Sequence, residues 1–121
     1  MTALRSFLLL EVIIFACASL LHRGLMLRGF AHLKAAVAES VIGLVLAVGL
    51  TIAVYRPAHA RAAALATQGL ALLGVAVGVA TIIIGIGPRT ALDYVIHAVM
   101  ALVLVGGLLV ARAQGARISP T

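Results

Sequence analysis

Four long apolar runs, at residues 4–21, 35–55, 62–86 and 91–111, alternate with short polar breaks along the chain. Each approaches or exceeds the roughly 20 residues a helix needs to cross about 30 Å of hydrocarbon. Within the runs, polar and apolar positions do not alternate, which excludes the strand pattern of a membrane barrel. In lipid each segment must satisfy its own backbone N–H and C=O groups, so the runs are expected to be helices. The pattern therefore predicts an all-α fold: a single integral membrane domain over residues 1–121, built as an antiparallel four-helix bundle.

The breaks carry their own chemistry. Segment 22–34 (HRGLMLRGFAHLK) holds His22, Arg23, Arg28, His32 and Lys34, punctuated by Gly24 and Gly29 and interleaved with Leu25, Met26, Leu27, Phe30 and Leu33. A linker so mixed is expected to lie in the headgroup layer rather than project into water. Arg56 and Pro57 open a short turn over residues 56–61. In segment 85–90 (GIGPRT) the glycines and proline end the third run. Thr90 then starts the fourth with Asp93 three residues on, a capping pattern with the shorter acid. The polar tail 112–121 is expected to fray.

Composition strengthens this reading. Of 121 residues, 64% are hydrophobic and 10% charged, with a mean hydropathy of +1.27. Soluble domains are about a quarter charged, so a soluble enzyme or a nucleic-acid partner is not expected. The net charge of +6 comes from nine Lys and Arg against three acids, placed between apolar runs where lipid headgroups would lie. Four crossings put Arg5, Arg56, Arg61, Arg112 and Arg117 on one side and Arg23, Arg28, Lys34 and Arg89 on the other. Five against four gives the positive-inside rule nothing to act on, so orientation is left open. Arg5 before an apolar stretch resembles a signal peptide, but further apolar runs follow instead of a cleavage site and soluble domain, so the first run is expected to remain a helix. Cys17, the only cysteine, is expected to pack as a small hydrophobe.

Small residues mark where helices can approach closely. Thr67, Ala71, Gly74, Gly78, Thr81 and Gly85 recur at spacings of four and three, on one face of the third run, and include a G-x-x-x-G. The second run has a shorter series, Ala36, Ser40, Gly43 and Ala47. The two faces are expected to pack within one bundle, and could meet each other, with a dimer interface as the alternative.

The few polar residues inside the runs are the candidates for function, because charge is costly in lipid. Following the chain up and down sorts them into two levels. Glu11 and Gln68 each lie about two turns in from the same side, and Glu11 shares a face with Phe15, Ala18 and His22. Glu11 with Gln68 is the candidate proton or cation site, since a desolvated carboxyl can take up and release either; the alternative is a plain hydrogen bond between the two. Near the other side, Glu39, Arg89, Asp93 and His97 form the candidate polar cluster, within reach of His22, His32 and Lys34. Asp93 and His97 are four apart and share a face, so the carboxylate could orient the imidazole, or Asp93 could cap the fourth helix beside Arg89. Glu39 could join them, or pair with Arg89 or Lys34. No catalytic residue, cofactor-binding residue or metal ligand is assigned. Haem would need two histidines facing each other at one depth, and only His97 lies within a run. No close ligand trio, phosphate loop or nucleophile motif is present.

Two resemblances add expectations. The segment 10–24 (LEVIIFACASLLHRG) resembles the first helix of the small multidrug-resistance transporters, which have four helices and an essential Glu near this position. That likeness implies Glu11 as a shared proton and drug-cation site. The remaining spans depart from the family, lacking its pocket-lining Trp and Tyr. The run QGLALLGVAVGVATIIIGIGPRTALDYVIH resembles small membrane proteins of high-GC bacteria that share a glycine-rich third span, GPRT, an Asp and a His. It matches Gly87, Pro88, Arg89, Thr90, Asp93 and His97, and implies a shared feature with no assigned activity. The expected function is non-enzymatic: an accessory or interaction subunit of a membrane assembly, or a homo-oligomer. The alternative is a proton-coupled small transporter using Glu11. The expected partners are the lipid bilayer and other membrane helices, with no nucleic acid and no cofactor. The expected location is the bacterial inner (cytoplasmic) membrane, with several passes.

Overall fold

The protein is described over residues 1–116 by a computed structural model; Arg117 and the rest of the tail lie outside the described residues. Four α-helices account for nearly all of it: α1 Ala3–His22, α2 Leu33–Tyr55, α3 Ala60–Ile84 and α4 Ala91–Ala116. A single 3-10 turn, Pro57–His59, joins α2 to α3, with proline at its first position, where no N–H is required. No strand occurs among the described residues. All four helices are long and apolar enough to cross a membrane.

The ends differ from the sequence expectation for local reasons. α1 runs through His22, one residue past the apolar run, so His22 belongs to a helix and not to the linker. α2 starts two residues early because the His32 ring accepts from the Ala35 N–H at 3.2 Å and caps it. α3 stops two residues early, at Gly85, whose φ of +88° is left-handed and ends the helix. The N–H groups of Gly85, Ile86 and Gly87 all turn back onto the Thr81 carbonyl. α4 continues to Ala116, so the first half of the tail expected to fray is helical. Hydropathy marks where apolar residues end, whereas Arg112, Ala113 and Gln114 are good helix formers whatever their polarity.

Each helix packs on the next in the chain, α4 packs back on α1, and α1 touches α3 across the middle. Arginine donors fix the ends: Arg5 Nε donates to the Ala53 carbonyl at 3.0 Å, tying the start of α1 to the end of α2. Arg61 Nε donates to the Ala111 carbonyl at 3.2 Å and does the same for α3 and α4. The core is formed by Leu4, Leu8, Phe15, Leu46, Val75, Met100 and Leu104, all buried. The outward positions are also apolar, among them Leu44, Leu73 and Leu102, each more than 60% exposed. Cys17 is exposed on α1 rather than packed, which corrects the expectation for it.

The small-residue face of α3 does turn inward, but not onto the small face of α2. A Cβ on Gly49 of α2 would strike the Thr67 hydroxyl and come within 3.1 Å of its Cβ. On α3, one on Gly74 would come within 2.6 Å of Ile42, and one on Gly78 within 2.8 Å of His97 in α4. Ala71 is buried among them. Thr81 and Gly85 serve the helix end instead, Thr81 through its carbonyl and Gly85 through its φ. The small face of α2 lies on α1: Ser40 meets Ser19, and Gly43 leaves room for Phe15. The two small faces therefore do not pair. The α2 face receives Phe15 from α1, and the α3 face receives Ile42 from α2 and His97 from α4, so larger side chains fill the gaps at the glycines.

Two glycines separate close approach from mere smallness. Gly49→Ala forces a methyl onto Thr67, a stiff side chain whose own hydroxyl donates to Ala63, and is expected to cost about 1–3 kcal/mol. Gly69→Ala meets nothing within 4 Å and is expected to be neutral or to stabilise by up to about 1 kcal/mol. Thermal unfolding in detergent checks this; equal effects for both variants would remove the close contact from the account.

Candidate functional site

Six polar side chains are buried among the described residues, and they gather at two levels. At the first, Glu11 of α1 faces Gln68 of α3. Gln68 Nε2 donates to both carboxyl oxygens, at 2.9 and 3.1 Å. Gly107 of α4 closes the third side, where any Cβ would collide with the Gln68 amide and the Glu11 carboxyl. The pairing expected from the sequence is thus present. Gly107 is a residue that sequence reading missed. Its only signal is a glycine in an apolar helix at the depth of two polar groups. Gln68 Oε1 is the one buried side-chain polar atom without a hydrogen-bond partner among the described residues. Such an orphan acceptor costs on the order of 1–3 kcal/mol.

The second level joins three helices through one ring. His22 Nδ1 lies 2.8 and 2.9 Å from the two Glu39 carboxyl oxygens, and His22 Nε2 lies 3.0 Å from Asp93 Oδ1. The ring is wholly buried, Asp93 likewise, and Glu39 nearly so. A carboxylate oxygen only accepts, so with both acids ionised each ring nitrogen must donate, and His22 is an imidazolium. With one acid protonated the ring is neutral, and in both cases one proton lies on each nitrogen–oxygen line. The group then carries a net charge of −1 whichever way those protons sit.

Asp93 reaches this position through its helix start. Its other oxygen accepts from the Thr90 N–H at 2.7 Å and the Thr90 hydroxyl at 2.6 Å, while the Asp93 N–H reaches back to the Thr90 hydroxyl at 3.3 Å. This is the reciprocal capping arrangement, and it leaves Oδ1 free for His22. Beside it, the Ser19 and Ser40 hydroxyls lie 2.7 Å apart and both donate to the Ala36 carbonyl at 2.9 Å. Arg23 Nη2 donates to Ser40 at 3.2 Å.

Two members of the expected polar cluster do not join it. The Asp93 carboxylate does not orient His97; His97 Nδ1 instead donates to the Asp93 backbone carbonyl at 2.7 Å. The reason is competition, since Thr90 and His22 already occupy both carboxylate oxygens. Arg89 pairs with neither Asp93 nor Glu39. It folds back over the end of α3, donating to the Ile82 carbonyl at 3.0 Å, which also takes the Gly85 N–H, and to the Ile83 carbonyl at 3.3 Å, in the turn where helical partners run out. Glu39 takes His22 as partner instead of Arg89 or Lys34. The expectation that only His97 among the histidines lies within a helical span is corrected by His22, the last residue of α1. No group of three His, Cys, Asp or Glu side chains is arranged to hold a metal among the described residues. The chain matches no protein-family model, no curated protein and no solved structure.

Removing the ring tests the second level. His22→Phe keeps the bulk but leaves the buried Glu39 carboxyl without its donor and Asp93 with Thr90 alone, an expected loss of about 3–5 kcal/mol in unfolding free energy. Adding Glu39→Gln and Asp93→Asn removes the unpaired charge and should recover at least half of that loss. A triple variant no more stable than His22→Phe would show that the ring acts by shape alone.

Proposed function

We propose that this chain is a small multi-pass protein of the bacterial inner membrane. In this reading it folds as an antiparallel four-helix bundle and acts without catalysis, as an accessory subunit of a larger membrane assembly or as a homo-oligomer. The observation that carries the reading is that every acid within the four helices is bonded inside the chain. Glu11 is held by Gln68, Glu39 by His22, and Asp93 by His22 and Thr90. Carboxyls so engaged hold helices in place, and the outward faces offer only apolar contact to lipid or to neighbouring helices. The likeness of the GPRT segment to proteins of high-GC bacteria supports the bacterial setting. A chain tagged at its natural level and extracted in mild detergent should appear as a self-oligomer or with a stoichiometric integral membrane partner that recovers it reciprocally. A lone monomer in every mild detergent would overturn the proposal.

A proton-coupled small transporter is the second reading, favoured by the orphan Gln68 Oε1 beside Glu11. Glu11→Gln separates the two. Glutamine keeps the shape and the acceptor for the Gln68 amide, so under the first reading the melting temperature and assembly stay within about 1 kcal/mol of wild type. Under the second, the fold is equally intact, but proton release on adding a lipophilic cation is abolished. Cation-dependent proton release by the wild type that is lost in Glu11→Gln would transfer the proposal to transport.

A further inference from the structure

A cavity of about 210 Å³ lies between α2 and α3, above the level of Glu11 and beside that of His22. Its walls are apolar: Phe15, Ile42, Val75, Ile82 and Met100 line the inner part. Lys34, Ala38, Val77 and Ile86, all exposed, mark its mouth. The polar groups lining it are Glu39, His32, Lys34, Thr81 and His97. Glu39 turns both oxygens to His22, the Thr81 hydroxyl donates to the Gly78 carbonyl at 2.7 Å, and His32 Nδ1 accepts from the Ala35 N–H, which leaves that ring no second acceptor.

His97 is different. A backbone carbonyl only accepts, so the 2.7 Å contact with the Asp93 carbonyl assigns the ring proton to Nδ1. In the neutral ring Nε2 is then an acceptor, and it has no partner among the described residues. It lies beside Gly78, where a Cβ would come within 2.8 Å of it, and both residues line the cavity. The cavity therefore presents a largely apolar chamber with an imidazole acceptor held in place by its own backbone bond. An apolar cavity of roughly 150 Å³ is enough to hold benzene. The larger volume here fits one ring with a short substituent. Phe15 and Met100 offer ring-edge and sulfur contacts that aromatic guests favour.

We propose that this cavity is a binding site for a small lipophilic phenol, whose ring fills the apolar chamber and whose hydroxyl donates to His97 Nε2. The apolar wall supplies burial, and the acceptor supplies the choice between a hydroxylated ring and a plain hydrocarbon of the same shape. A single buried hydrogen bond makes that choice worth about tenfold in affinity.

The test uses full-length protein in detergent with nitrogen-labelled histidine. The His97 Nε2 resonance is identified by its loss in His97→Phe, or by the same loss in His97→Gln if the first variant does not fold. Adding para-propylphenol should move that resonance saturably, and propylbenzene, equal in size but without a donor, should leave it in place. Ala38→Phe narrows the mouth from an exposed position without touching His97, and should weaken the phenol effect at least tenfold. An unmoved resonance with the phenol would overturn the proposal. So would equal displacement by propylbenzene, which marks a site for any hydrocarbon, a lipid chain included, or an unchanged response in Ala38→Phe.

Discussion

Helices that are apolar on every side can pack against one another in many registers at similar energy, and in lipid no hydrophobic force chooses among them. The contact that does choose is the His22 ring between Glu39 and Asp93. It joins the end of α1 to α2 and to the start of α4. A slip of one residue in any of the three helices would turn the ring or one of its carboxyls away by about 100° and strand the groups left behind. The rest of the arrangement follows from this anchor: the Ser19–Ser40 contact beside it, the capped start of α4, and the depth at which Glu11 finds Gln68.

The four helices could be read directly from the chain because long apolar runs admit few other structures. The Thr90–Asp93 cap was equally legible, since capping depends only on residues three apart. Glu11 and Gln68 were matched by counting turns from one side, which works when two polar groups are alone at their depth. The second level defeated the same method because it holds too many candidates. Arg89 and His97 are close to Asp93 in sequence, and a local rule pairs near neighbours, whereas the partner that wins lies on another helix. Helix ends set the other limit: Arg89 was assigned to carboxylates, but it donates to the Ile82 and Ile83 carbonyls in the last turn of α3, where acceptors lack full helical partners.

Close packing was legible as a list of small residues but not as a set of neighbours. A glycine shows that something can approach, not what does. Gly49 makes room for a threonine, Gly78 for an imidazole and Gly107 for a carboxyl and an amide together. Only the last two touch chemistry, and nothing in the spacing distinguishes them from the first.

All the polar ties between helices at both levels pass through α1: Glu11 to α3, and His22 to α2 and α4. The chain is made from its N-terminus, so the helix that appears first carries the groups that are satisfied last. Glu11 waits for a residue 57 positions later and the His22 ring for one 71 positions later. Until then α1 must hold two polar side chains in an apolar segment without their final partners. The fold is therefore completed by its fourth helix in a literal sense: release of the chain before Asp93 is made leaves a product whose first helix still lacks its last bond.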